Sequence, residues 1–182
     1  MMDAPGRARH AARMTRIRPL LLILAALATM AATPLYGPPP QPGTAVWYGL
    51  HFIDTSTEGA LQGVRADETA RIEMIEEFIA DDLTARGFTL IEPPADAVAA
   101  IKNPVNSNRR DTKIAAEMGA RYAISGEVQK VSNLILAVNL YVRDAATGKS
   151  VRAGAVDIRG NNDESFRRGY RYLLKNIIFR EE

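Results

Sequence analysis

An α/β fold built on one mixed sheet is predicted by three observations. A strand, a helix and a second strand follow one another between Ala45 and Glu92. Three strand patterns then run in succession from Arg121 to Arg159, and an amphipathic helix closes the chain. The first run reads as a βαβ unit with parallel strands and a right-handed crossover, the second as a three-stranded antiparallel meander. The expected organisation is a single α/β domain, with an α+β tendency, over residues 45–182 of a 182-residue chain.

The elements follow from local patterns. "AVWYGLHFID" alternates Val46, Tyr48, Leu50 and Phe52 against Trp47, Gly49, His51 and Ile53, and both sets are largely apolar. That composition suits a central strand covered on both sides. "TSTEGALQGV" reads as a loop. From Asp67 the period becomes helical, with Ile72, Ile75, Ile79 and Leu83 on one stripe beside Phe78, and with Glu73, Glu76, Glu77 and Asp81 outside it. Gly87 ends that helix, and "FTLIE" is a strand stopped by Pro93 and Pro94. "ADAVAAIK" reads as a helical turn or two, and Asp111 as the cap of a short helix ending at Gly119. In the middle strand of the meander, Leu136, Val138, Leu140 and Val142 share one face, and "DAATGK" supplies the hairpin turn. Asp163 is placed as the cap of the last helix, whose buried face is Phe166, Tyr170, Leu173, Leu174, Ile177 and Ile178.

The amino terminus has the three parts of a secretory signal over residues 1–31: "GRARHAARMTRIR", the apolar run "PLLLILAALATMAA", and small residues before Pro34. The 13 residues Leu20–Ala32 extend about 20 Å as a helix, short of a ~30 Å hydrocarbon core. A cleaved leader is therefore expected, with a mature terminus between residues 29 and 33; an uncleaved anchor and a start at Met14 are the alternatives. "TPLYGPPPQPGT" then reads as an extended tether within residues 32–44. The net charge of +2 is carried by the leader, whose removal leaves 18 basic and 20 acidic residues. With it goes most of the case for a nucleic-acid partner, and none is expected. The chain has no cysteine, so neither a lipid-bearing cysteine nor a disulfide is available. The expected location is the periplasm, with membrane contact only through the leader before cleavage.

Chemistry-bearing patterns are sparse. His10 lies in the leader and His51 reads as a packed strand histidine, so no metal site or other cofactor is expected. Ser125 has neither a strained turn nor a positioned base, and no phosphate loop is present, so an enzyme is not expected. The pairs Glu76/Glu77 and Asp81/Asp82 read as a solvated helix face. Two polar groups stand out as candidate anion sites: Arg109 and Arg110 before a helix start, and Arg159, Asn161 and Asn162 between the last strand and helix. Loop solubility and capping account for the same residues. Arg168, Arg171 and Lys175 form a basic stripe on the last helix, a wet face or an interaction face. In "GEVQKVSNLIL", Lys130, Ser132 and Asn133 are read into a turn, where Ser132 and Asn133 satisfy backbone groups. Gln129 and Lys130 have no structural role in this reading and stand as candidate binding residues.

"GEVQKVSNLIL", "RDAATGK" and "DIRGNNDESFRRGYRYLL", with "FIDTSTEG" more weakly, resemble a family of short secreted proteobacterial proteins known as a domain of unknown function. "AAEMGARYAISGEVQK" before a strand ending "DAATGK" is similar, more distantly, to the amino-terminal domain of the TolB translocation protein and related envelope-assembly domains. The resemblance implies a meander on a mixed sheet and no assigned activity. Together these readings give a non-enzymatic interaction or accessory module of the cell envelope with a protein partner. A binding protein for a small anionic solute is the alternative.

Overall fold

The computed structural model describes residues 37–181. The leader and the first residues of the tether lie outside the described residues. Strand β1 (Thr44–Asp54) is followed by helices α1 (Thr57–Gln62) and α2 (Ala66–Ala85), strand β2 (Thr89–Ile91), helix α3 (Ala95–Ala99) and helix α4 (Arg110–Glu117). Strands β3 (Tyr122–Ser132), β4 (Ile135–Asp144) and β5 (Ser150–Arg159) come next, and then helix α5 (Asp163–Leu173), which widens into a π-helical turn at Leu174–Ile178. The five strands form one sheet in the order β2-β1-β3-β4-β5. β1 runs parallel to β2 and β3, and β3, β4 and β5 are antiparallel neighbours. The mixed sheet and closing helix are those expected from the sequence.

The core lies between one face of the sheet and helices α2 and α5. Ile75, Ile79 and Leu83 of α2 meet Phe166, Tyr170 and Leu173 of α5 and Leu136, Val138, Leu140 and Val142 of β4, all essentially buried. Burying a large apolar side chain contributes about 1.5–3 kcal/mol, so this face holds most of the fold's cohesion. α5 lies close on β5, since a Cβ at Gly154 would sit 2.5 Å from the Ile177 side chain and one at Gly169 2.4 Å from Ile158. The opposite face carries a smaller cluster under α4: Val46, Ala115, Ala120, Ala123 and Ala145.

Several local expectations are corrected. The stretch read as a loop after β1 contains α1, because Ser56 Oγ accepts the Gly59 N–H at 3.0 Å and caps it. Asn162, not Asp163, caps α5: its side-chain oxygen accepts Ser165 N at 3.0 Å, while Asp163 pairs with Arg71 at 2.9 Å. Asp111 lies inside the first turn of α4, whose cap position is Arg109. Within the proline-rich stretch, Pro40 is buried and the Gly37 carbonyl accepts a hydrogen bond from Arg152.

The largest correction concerns β1. Its register against β3 shifts between Trp47 and Leu50. The bulge moves Trp47 onto the same face as Leu50 and Phe52, while Val46 and Tyr48 face α4. Gly49 takes φ +71, which a side chain resists. The Leu50 N–H beside it donates to Glu76 Oε1 at 2.6 Å. Glu76 is thus a half-buried cap for the bulge, not part of a solvated pair, and burial raises its carboxyl above the ordinary value.

Replacing Gly49 with alanine puts a Cβ 2.4 Å from Glu76 Oε1 as well as forcing a left-handed alanine. Gly49→Ala should therefore lose about 1–3 kcal/mol in urea unfolding. An unchanged midpoint would show that the bulge does not depend on glycine.

Candidate functional site

Two polar clusters sit at opposite ends of β3. At its carboxy-terminal end, Lys130 is an inward-facing residue of the strand, not part of the turn. It pairs with Leu136 of β4 and is 0% exposed. Its ammonium donates to Glu68 Oε1 at 2.6 Å and Glu58 Oε2 at 2.9 Å. Asp54 Oδ2 lies 3.1 Å away as an ion-pair contact without hydrogen-bond alignment. Glu68, 2% exposed, also accepts from Asn161 Nδ2 at 2.7 Å and from the Arg65 N–H at 3.2 Å. Asn133 Nδ2 donates to Glu58 at 2.8 Å, and Arg71 donates to Asn161 Oδ1 at 2.9 Å.

Charge and hydrogen bonding set the protonation states here. Burial pushes Asp54 upward, yet hydrogen bonds from Ser56 and the adjacent positive charge of Lys130 hold it below the ordinary carboxylate value. Hydrogen bonds from Lys130 and Asn133 lower Glu58. Burial favours a neutral amine at Lys130, but hydrogen bonds to Glu68 and Glu58 and the charge of Asp54 outweigh it and raise the group above the ordinary lysine range.

At the other end, Asp111 is fully buried and accepts from Arg143 Nη1 at 2.8 Å and from Ser107 Oγ. Arg143 also donates to the Val105 carbonyl at 2.6 Å, which ties the loop before α4 onto the sheet. Beside it lies an open cleft of about 340 Å³ lined by Val105, Asn106, Asn108, Arg109, Arg143 and Gly148. Asn108 and Arg109 bound this cleft with φ of 53° and 68°, consecutive left-handed residues without glycine.

The candidate residues named from sequence therefore separate. Arg109 is exposed at the cleft, and Arg110 is exposed with Nη1 on the Ala100 carbonyl at 3.2 Å. Gln129 is half-buried on the opposite face from Lys130, across from Ile53 and Ala137. Asn161 joins the Lys130 cluster, Asn162 caps α5, and Arg159 is exposed with its carbonyl accepting Ser165 Oγ at 2.7 Å. Arg168, Arg171 and Lys175 are exposed on α5, with Arg171 5.8 Å from the Phe78 ring. Sequence reading missed Asp54, Glu58 and Glu68, and also Ser107, Asp111 and Arg143. Two signals were present: Lys130 keeps the parity of Ile124 and Val128, and Glu68 stands four residues before Ile72 on the apolar stripe. Among the described residues no group of three His, Cys, Asp or Glu side chains is arranged to hold a metal ion.

A five-stranded mixed sheet, helices α2 and α5 on one face and a lysine–carboxylate cluster at one end define a small α+β class of protein. The chain belongs to the family described as protein of unknown function (DUF2380), whose model matches residues 43–178. Among solved structures it is similar to the LpoB C-terminal domain from Salmonella enterica, at 16% identity and TM-score 0.44 over 78% of this chain and 94% of that chain. A PelC dodecamer subunit from Paraburkholderia phytofirmans is 17% identical, with TM-score 0.48 over 80% of this chain and 96% of that one. TolB from Acinetobacter baumannii is 10% identical, with TM-score 0.42 over 78% of this chain and 30% of that one. No curated protein matches the chain.

Removing the ammonium strands Asp54 and Glu68, so Lys130→Met should cost about 3–5 kcal/mol at neutral pH, and adding Glu68→Gln should recover part of it. The pH profile supplies a second reading. Asp54 and Glu58 are lowered from ordinary values of 3.8 and 4.5, so their contribution is present above those values and lost as pH falls through the folded ones. Lys130 is raised from 10.5, so its contribution is present below that value and lost only at higher pH. Urea unfolding should show a plateau from about pH 5 to 10 with a falling acid limb. In Lys130→Met the buried carboxylates are uncompensated, so acidification should stabilise rather than destabilise; an unaltered acid limb would contradict the assignment.

Proposed function

We propose that this protein is a non-enzymatic interaction or accessory module of the bacterial cell envelope, exported to the periplasm by its leader. The observation that carries this reading is a group of exposed apolar side chains at one end of the sheet. Leu61 lies in α1 and Val64 just after it, with 80% and 57% exposure, and Val131, Leu134 and Ile135 lie in and beside the β3–β4 turn, with 50%, 71% and 41%. Single exposed apolar residues are ordinary, but a group of them on two joined segments supports a contact surface there. The loops are joined through Glu58, which holds both Lys130 and Asn133. The opposite end receives the amino-terminal segment, where Pro39 and Pro42 lie beside Phe88 and Phe179 and Gly37 meets Arg152. The apolar end thus lies at the end of the sheet away from the amino-terminal segment, open to a protein surface offering apolar side chains. No helix among the described residues is long and apolar enough to cross a membrane.

The cleft beside Arg109 and Arg143 favours a second reading, binding of a small anionic solute. Guanidinium groups suit carboxylate and phosphate. Equilibrium dialysis against organic acids and phosphates tests it: saturable binding lost in an Arg109→Ala, Arg110→Ala variant would put this reading first.

The interaction reading is tested by photo-crosslinking in intact cells, with the reactive residue at Leu61, Leu134 or, as a control, Ala95. An adduct of one mass from both Leu61 and Leu134 and none from Ala95 is expected. Adducts independent of position would overturn it. Replacing Arg168, Arg171 and Lys175 with glutamine should leave the melting temperature nearly unchanged, since exposed charges contribute under about 1 kcal/mol each. If that variant loses the adduct, the surface extends to α5.

A further inference from the structure

The two edges of the sheet are unlike. β2 is three residues long and is followed by Pro93 and Pro94, so that edge offers a neighbour little backbone. β5 is ten residues long, without proline, and is the last strand in the order. Folded proteins ordinarily blunt long edges, because a row of unpaired N–H and C=O groups recruits other strands.

The phase of the ladder identifies the groups that are open. Ala145 N donates to Arg121 O at 2.9 Å, and Gly160 N to Leu134 O at 3.1 Å. Bonded pairs recur at every second residue of an antiparallel ladder. Leu136, Val138 and Leu140 therefore bond to Ile158, Val156 and Gly154, and Ala153, Ala155 and Asp157 turn their backbone groups away from β4. The Arg159 carbonyl, next in phase, accepts Ser165 Oγ instead, as an outward-facing group should. Among the described residues no backbone hydrogen bond closes the outward groups of Ala153, Ala155 and Asp157.

The surroundings select the occupant. Lys149 and Arg159 are exposed at the two ends of β5 and Arg168 and Lys175 on the helix above it, against Asp157 and Glu164. A second copy joined edge to edge would bring this basic excess against itself. An acidic strand complements it. Arg167 and Arg171 lie over Phe78 of α2, which leaves Tyr172, 54% exposed, on the flank above the free edge. Apolar side chains of an incoming strand would pack beneath that ring.

We infer that the β5 edge takes an extended segment of another protein, alternating apolar and acidic residues, as a sixth strand of the sheet. This surface is separate from the apolar end proposed above, and neither depends on the other.

The probe is a short synthetic peptide alternating valine with glutamate, compared with its valine–lysine counterpart, added to the full chain. Saturable, salt-sensitive binding of the glutamate peptide alone is expected, with amide exchange slowed at Ala153, Ala155 and Asp157. Ala155→Pro removes an outward donor and no bond to β4, so it should keep the fold and weaken binding by about tenfold or more. Should that variant be unfolded, Arg168→Glu with Lys175→Glu supplies the same test, by weakening the glutamate peptide and admitting the lysine one. Equal binding of both peptides, or exchange unaltered at those three amides, would overturn the inference. So would protection already present without peptide: rising with protein concentration it would mean a second copy on the edge, and independent of concentration the chain's own residues.

Discussion

A lysine side chain with no exposed surface has to be compensated where it lies, and in this fold that requirement is met by acids from three separate segments. Asp54 comes from the end of β1, Glu58 from α1 and Glu68 from the first turn of α2. Stripping water from an ammonium costs several kcal/mol, so Lys130 can occupy its position only when these segments have converged on it. Asn161 then extends the same carboxylate, Glu68, to the loop before α5. The cluster joins β1, α1, α2, β3 and the approach to α5, and the exposed loops at that end owe their placement to charges hidden behind them.

The bulge in β1 is governed by the same kind of constraint. Helix α2 carries a buried stripe of Ile72, Ile75, Ile79 and Leu83, but Glu68 and Glu76 point inward beside it. Each carboxylate meets a group that an all-apolar stripe would leave unsatisfied: the Lys130 ammonium in one case, the Leu50 N–H of the bulge in the other. A buried polar group without a partner costs about 1–3 kcal/mol, so one helix fixes β1 and β3 by polar contacts as well as by packing. The Glu76 contact pins the position of the bulge in β1, in addition to the packing of Trp47, Leu50 and Phe52 on one face and Val46 and Tyr48 on the other.

What the sequence made legible follows from how far apart the cooperating residues are. The inward rows of β4 and α5 are readable because their periodicity lies within single segments. The meander was readable because its turns are short. Lys130 was hidden by its neighbours: Ser132 and Asn133 are turn residues, and the turn chemistry drew Lys130 into the loop although its parity with Val128 placed it inward. Its acids stand 62 to 76 positions earlier in the chain, where no local pattern pairs them with it. The pairing of Arg143 with Asp111, 32 positions apart, is illegible for the same reason, whereas two adjacent arginines such as Arg109 and Arg110 are conspicuous in a line of sequence. The β1 bulge was unreadable from alternation, since a single glycine within an apolar strand does not announce a change of face.

The distribution of polar compensation also explains why the two ends of β3 differ as surfaces. Around Lys130 the charged groups are turned inward and satisfy one another, so the loops above them are free to expose Leu61, Leu134 and Ile135. Around Asp111 the arrangement is reversed: the carboxylate is inside, and the guanidinium that compensates it, Arg143, lies at a cleft shared with Arg109. An apolar contact surface is best supported by a rigid, electrostatically closed base, because loops that are already ordered lose less conformational freedom when a partner arrives. A polar cleft gains instead from a charge held at its wall. The fold thus leaves apolar side chains exposed at one end of β3 and a polar cleft with a guanidinium at its wall at the other, through the direction in which each ion pair faces.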